Sequence, residues 1–261
     1  MTHDHDVRDP WDVLAWPDDA PTRRPEADPS VVVVGAVGGC GATTVACAIA
    51  TYLAARGGDA TLVEFDLERG DLSGRWDVPA ERTIDDLVPV ADELRPDHVG
   101  LVALRHPAGP RLLLGPCRPG AAATWTSDRA SALIDVVRGL GPAVVDAGGF
   151  LGPHVAGACA AAGRAVVVTP PTLAGARAAR SVVAALRTWH PGVTIDLAVN
   201  RGAGRDHLGD RAFAHAAGHP IAAILPRADR DADEYGGGRR RPRGRGAFER
   251  GIERLAGGAP R

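Results

Sequence analysis

The chain has 261 residues, 45% of them hydrophobic and 24% charged, with a formal charge of −2. That length suffices for one large α/β domain or two small ones with a sizeable core. The near-neutral balance excludes a global field that would make nucleic acid or an anionic membrane the default partner.

In chain order, residues 1–29 are acidic and proline-rich, with two tryptophans in Trp11-Asp-Val-Leu-Ala-Trp16. Too few apolar residues sit together there to build a core, so a disordered acidic tail is expected. From Val31 short β-branched runs alternate with Ala-rich helical segments. Segments 31–34, 60–65, 143–146, 165–169, 194–200 and 220–225 read as strands that are apolar on both faces, the signature of a parallel sheet covered on both sides. Segments 43–56, 127–140, 173–189 and 211–217 supply helical crossovers. The pattern predicts one doubly wound α/β domain over 30–261, its mostly parallel sheet flanked by helices, with ligands beyond the carboxyl ends of the strands. The middle stretch, 72–119, is less regular, with a short helix near 84–88 and apolar runs at 99–104 and 111–114. The Arg/Gly-rich stretch 236–246 reads as a flexible loop before a last helix at 248–255.

All 30 basic residues are arginine; the sequence holds no lysine. Cys40, Cys47, Cys117 and Cys159 lack both C-x-x-C spacing and the density of a secreted disulfide framework, so a reducing cytoplasm is the expected setting. The amino-terminal stretch is unlike a signal peptide, and no apolar run approaches the roughly 18 residues needed to span a bilayer. Membrane association is expected to be peripheral at most, through recruitment by partners.

The segment Gly35-Ala-Val-Gly-Gly-Cys-Gly-Ala-Thr-Thr44 joins the first strand to the first helix. A glycine-rich turn there gathers backbone N–H groups at the positive end of a helix dipole and binds phosphate even without a charged side chain. Gly38, Gly39 and Gly41 leave room for an anion. Thr43 stands where a hydroxyl ligates Mg²⁺, and Thr44 where one donates to an α-phosphate. The general pattern G-x-x-x-x-G-K-[ST] is broken twice, by Ala36 at the first glycine and Ala42 at the lysine. Acidic groups close the later strands in a fitting order: Glu64-Phe-Asp66 ends the second, and Val144-Val-Asp146-Ala-Gly148 has the form of a strand end whose carboxylate holds Mg²⁺ through water. Asp66 is placed to orient an attacking water near a γ-phosphate. Taken singly, each carboxylate reads equally well as a helix cap or turn former; the signal is their order.

The region 31–71 resembles the deviant Walker A loop and following D-x-D strand of the ParA/MinD ATPases, and more closely their CpaE/TadZ branch, which tolerates G-G-x-G-[AS]-[ST]-T as in Gly38-Gly-Cys-Gly-Ala-Thr-Thr44. Leu112-Leu-Leu-Gly-Pro116, Val166-Val-Val-Thr-Pro170 and Leu197-Ala-Val-Asn-Arg201 extend the likeness over roughly 31–256. The resemblance implies an ATP·Mg²⁺ site in which Gly38, Gly39, Cys40, Gly41, Ala42, Thr43 and Thr44 hold phosphates. It makes Thr43 and Asp146 the Mg²⁺ residues and Asp66 the catalytic or switch carboxylate, with Glu64 in place of the first acid of D-x-D. Asn200, Arg201 and the backbone near Pro226 meet the base. It implies a positioning or assembly factor for a pilus, secretion or septum apparatus, with protein partners there. Two family lysines are absent: the signature lysine that reaches a partner subunit's phosphates is Val37, and the ordinary loop lysine is Ala42. Each lost charge-assisted contact is worth about 1.5–3 kcal/mol, so binding is expected to survive while hydrolysis is slow or absent and any homodimer weak.

Two other readings stand beside this one. A pseudo-ATPase keeps the fold as an interaction scaffold without the nucleotide. A Rossmann-type dinucleotide protein uses Gly39-x-Gly41 with Glu64 as the ribose acid, but leaves Asp146 and Asn200-Arg201 unexplained. The arginines of 239–245 lack interleaved aromatics and read as a solvated face rather than a nucleic-acid site. Phe248, Ile252 and Leu255 share one face of the last helix, which reads as closing the core rather than lying on a membrane. His215 and His219 fall at a helix end, and Cys40 reads as a small residue filling the loop.

Overall fold

The computed structural model describes residues 28–57, 59–107, 109–202, 208–227 and 246–257. The expectations for 1–27 and 236–245 therefore lie outside the described residues. Eight strands form one sheet: β1 Val31–Gly35, β2 Thr61–Glu64, β3 Leu104–Arg105, β4 Arg111–Leu113, β5 Ala143–Asp146, β6 Arg164–Thr169, β7 Thr194–Asn200 and β8 Ile221–Leu225. Their order is β3-β4-β2-β5-β1-β6-β7-β8. Every pairing is parallel except β3 with β4. The expected doubly wound α/β architecture is the one observed.

The four valines of β1 show why these strands must be central. Val32 and Val34 enter the apolar layer on one face of the sheet, and Val31 and Val33 the layer on the other, as the two-residue period of a strand requires. All four are completely buried, each contributing about 1.5–3 kcal/mol of apolar burial. The first layer is filled by α4 (Ser127–Leu140), α5 (Pro153–Ala162), α6 (Leu173–Trp189) and α7 (Asp210–Ala217). The second is filled by α1 (Ala42–Ala55), α2 (Leu72–Trp76) and α8 (Ala247–Gly257). In α8, Phe248, Ile252 and Leu255 are buried against this second layer, so the helix closes the core. At the sheet's entry, the Asp28 carboxylate accepts the Ser30 N–H at 2.9 Å and pairs with Arg138 of α4 at 2.7 Å.

The middle stretch resolves into local pieces. Residues 72–76 form α2, and the expected short helix is a longer 3-10 segment, Ile84–Glu93, opened by a capping box from Thr83 and Asp86. The run at 99–104 is mostly α3 (Pro96–Val102), and β3 and β4 form the antiparallel edge of the sheet. Since β1 lies between β5 and β6, while the chain after β1 goes to β2 on one side and after β5 to β6 on the other, the winding reverses at the carboxyl end of β1. That reversal opens a crevice in such sheets.

Candidate functional site

The crevice is occupied by the turn between β1 and α1. Helices α4 and α6 begin on threonine caps, Thr126 accepting from the Arg129 N–H and Thr172 from the Gly175 N–H. Helix α1 has no side-chain cap: its N-cap is Gly41, in the left-handed region at φ 91. The first intrahelical bond runs from the Val45 N–H to the Gly41 carbonyl at 3.0 Å. The N–H groups of Ala42, Thr43 and Thr44 precede it and are the helix's open donors. Gly39 is also left-handed, at φ 72, and a Cβ at Gly38 or Gly39 would meet nothing within 4 Å. The turn therefore presents a bare backbone face to a cavity of about 490 Å³, lined also by Asp66, Arg69, Arg75 and Gly148.

The loop's other side is held from behind. The Gly35 N–H donates to the Gly148 carbonyl at 2.6 Å, and the Ala36 N–H to that of Val168 at 2.8 Å. The Cys40 N–H turns inward to the Val37 carbonyl at 3.4 Å, and the buried thiol is pushed up from its ordinary value by desolvation. Cys40 thus fills space, as expected. Asn200, at the end of β7, donates from Nδ2 to the Cys40 carbonyl at 2.8 Å and accepts the Gly202 N–H at 3.0 Å. A Cβ on Gly41 would stand 2.5 Å from Asn200 Nδ2. Asn200 is therefore a brace for the loop, with one amide proton left over. The Arg201 N–H donates to the Leu225 carbonyl at 2.8 Å, and its guanidinium pairs with Asp210 at 2.7 Å. Pro226 follows directly, so Asn200, Arg201 and Pro226 stand together at the ends of β7 and β8 without lining the cavity.

Three carboxylates lie near the loop, each with its own set of partners. Asp146, 1% exposed, accepts the Gly148 N–H at 3.2 Å and a hydrogen bond from Thr43. Burial nevertheless pushes its carboxyl up to about 6, the mark of a charge short of compensation. Asp66 lies against the cavity, and a Cβ on Gly148, itself at φ 57, would stand 2.2 Å from its Oδ2. Burial raises Asp66 above the ordinary carboxylate range, against the pull of the Arg69 charge and N–H. Glu64 has a different occupation. Its Oε1 accepts the Leu72 N–H and its Oε2 the Gly115 N–H, both at 2.8 Å, and it is 1% exposed. No oxygen of Glu64 faces a ribose, which removes the anchor of the dinucleotide reading.

Arg69 and Arg75 belong to the cavity although no motif pointed to them. For Arg75 the only signal in the sequence was the pair Leu72 and Trp76, four residues apart and both buried, which marks a helical turn whose remaining side chains face outward; Arg69 precedes that turn and had none.

No protein-family model and no curated protein sequence matches the chain. Solved structures do. A ParA family ATPase from Chlorobium tepidum TLS superposes with a TM-score of 0.75 at 18% identity, covering 88% of this chain and 98% of that one. The septum site-determining protein MinD of Pyrococcus horikoshii OT3, complexed with Mg-ADP, gives 0.69 at 19%, covering 87% and 93%. Cobyrinic acid a,c-diamide synthase of Mycobacterium smegmatis, with bound ADP and magnesium, gives 0.59 at 17%, also covering 87% and 93%. At such identities the likeness establishes the fold, that of the ParA/MinD P-loop ATPases, and nothing finer.

Proposed function

We propose that the chain is a ParA/MinD-superfamily protein of the CpaE/TadZ-like branch that binds ATP·Mg²⁺ and acts as a nucleotide-gated positioning or assembly factor for a pilus, secretion or septum apparatus. The observation that carries this reading is the uncapped start of α1 beneath a side-chain-free glycine turn, opposite Asp66 and directly above the Thr43–Asp146 pair. Such a cradle suits phosphate oxygens. The Mg-ADP complex of the MinD neighbour is consistent with the ligand.

The residues present fit Mg²⁺. Asp146 is a buried carboxylate whose charge lacks compensation, and the Thr43 hydroxyl faces it, which is the hard oxygen chemistry this ion prefers. Among the described residues no cluster of three His, Cys, Asp or Glu side chains forms a protein cage, so water and phosphate oxygens would share the ion with Thr43 and Asp146. Held there, Mg²⁺ would supply charge to neutralise the phosphates. The chain's own residues do the rest: the α1 N–H groups bind the phosphates, Asn200 holds the loop in register, and Asp66 orients a water at the cavity mouth. The segment after Asp66 then senses whether a γ-phosphate is present and passes that difference to protein partners. With Ala42 and Val37 in the lysine positions, turnover is slow or absent.

Calorimetric titration of the full chain tests the reading, with ATP·Mg²⁺ against NADH and with an Asp146→Ala variant. Micromolar ATP binding that is lost in Asp146→Ala, with no heat from NADH, is the expected result. If neither nucleotide gives heat, the pseudo-ATPase scaffold becomes the better account and the glycine turn is a remnant of the fold.

A further inference from the structure

The proposed site lacks both family lysines, yet its cavity is not without cations. We propose that Arg75 and Arg69, carried by the segment that follows Asp66, supply within the same chain the cationic phosphate contacts that Ala42 and Val37 cannot make; this rests on the reading of 35–44 as a triphosphate site. Both arginines line the cavity. Arg75 Nη1 reaches the Thr44 Oγ1 at 3.5 Å, which sets the guanidinium over the first turn of α1. Arg69 Nε lies 4.0 Å from Asp66 Oδ1, and both residues line the cavity. The two charges thus bracket the cavity from opposite ends of one short segment.

What makes them more than exposed side chains is the way their backbone is held. Leu72 and Trp76 are buried on either side of Arg75. The Trp76 Nε1–H donates to Cys47 Sγ of α1 at 3.3 Å, and its ring meets His106 edge-on with centroids 4.6 Å apart. Asp71 caps α2 by accepting the Gly74 N–H, and Glu64 fixes Leu72 by its N–H. A Cβ on Gly70 would fall 2.3 Å from Glu64 Oε1, so the chain crosses Glu64 at a distance only glycine allows. Glu64, which stands in place of the first acid of D-x-D, clamps the segment that carries the arginines. Among the described residues no carboxylate pairs with Arg75, whose contact is a neutral hydroxyl. A guanidinium on a fixed stem, unpaired and facing open backbone donors, is suited to bidentate phosphate recognition.

The test is calorimetric binding of ATP·Mg²⁺ to the full chain and to Arg75→Ala, Arg75→Lys, Arg75→Glu and Arg69→Ala, with thermal melts to confirm folding. Arg75 is exposed and Arg69 is 67% exposed, so folding is expected to be intact. Loss of a charge-assisted contact predicts roughly 10- to 100-fold weaker binding in Arg75→Ala, less in Arg75→Lys and more in Arg75→Glu. Binding by the alanine variants should also depend less on salt. If the wild type binds and the alanine variants bind equally well, the arginine assignment falls while the site stands. Equal losses in Ala, Lys and Glu variants would mark a packing role and overturn it too. No binding by the wild type removes the triphosphate site and the arginine assignment with it.

Discussion

Glu64 buries a carboxyl at the second strand's end, and its two accepted N–H bonds do not offset the loss of water: the group is pushed up from 4.5 to about 7. A folded-state value above the unfolded one means that the native protein holds a proton the unfolded chain has released. Stability from Glu64 is therefore full below about pH 4.5 and declines as pH rises through about 7. Against Glu64→Gln, which cannot ionise, the wild type should lose on the order of 2–3 kcal/mol between about pH 5 and about pH 8. Urea midpoints of both proteins at the two pH values check this. A constant difference between them would mean that the two N–H bonds keep Glu64 ionised throughout. The sequence could place Glu64 at a strand end but not reveal this occupation, because its partners lie 8 and 51 residues away. Asp66 and Asp146 were easier to find, since each falls at or just past the carboxyl end of an apolar strand. What an acid does there depends on which backbone comes to meet it.

Elements were legible in proportion to their local signals. Helices α4 and α6 run over the expected segments, 127–140 and 173–189, because each has a threonine cap and a regular apolar stripe. Helix α5 went unread: its Ala-rich sequence is apolar almost all round, so it shows no stripe. Helix α2 is too short for periodicity, and that hid Arg75, while Arg69 sits in the turn before it. Helix α8 shows the stripe clearly, and its burial gives a prediction. Leu255 is completely buried among α1, β8 and the residues of its own face, so Leu255→Ala should destabilise the chain by about 2–4 kcal/mol. Denaturant unfolding followed by circular dichroism measures it. A loss under about 0.5 kcal/mol, typical of surface positions, would mean that α8 rests on the domain instead of closing it.

At the scale of the molecule, the fold leaves open what the site settles. The same architecture carries a septum-determining protein and a cobyrinic acid a,c-diamide synthase, so function here has to be argued from the crevice and its charges. No helix among the described residues is long and apolar enough to cross a membrane. Val37 bears on the partner that is a second copy of the chain. Its side chain is partly buried and packs against the apolar layer around α1, so the loop carries no charge at that position. Position 37 accordingly offers no cation to a second copy of the chain, while Arg69 and Arg75 line the cavity of their own. Light scattering after size exclusion should give the same mass with and without ATP·Mg²⁺, and Val37→Lys should shift the ATP-bound chain toward a dimer. Phosphate release should stay slow in both states, since loss of one preorganised donor typically lowers a rate about 10²–10³-fold. A tight ATP-dependent dimer of the wild type would show that the interface draws on other groups, and slow turnover would then need a cause other than the missing lysine.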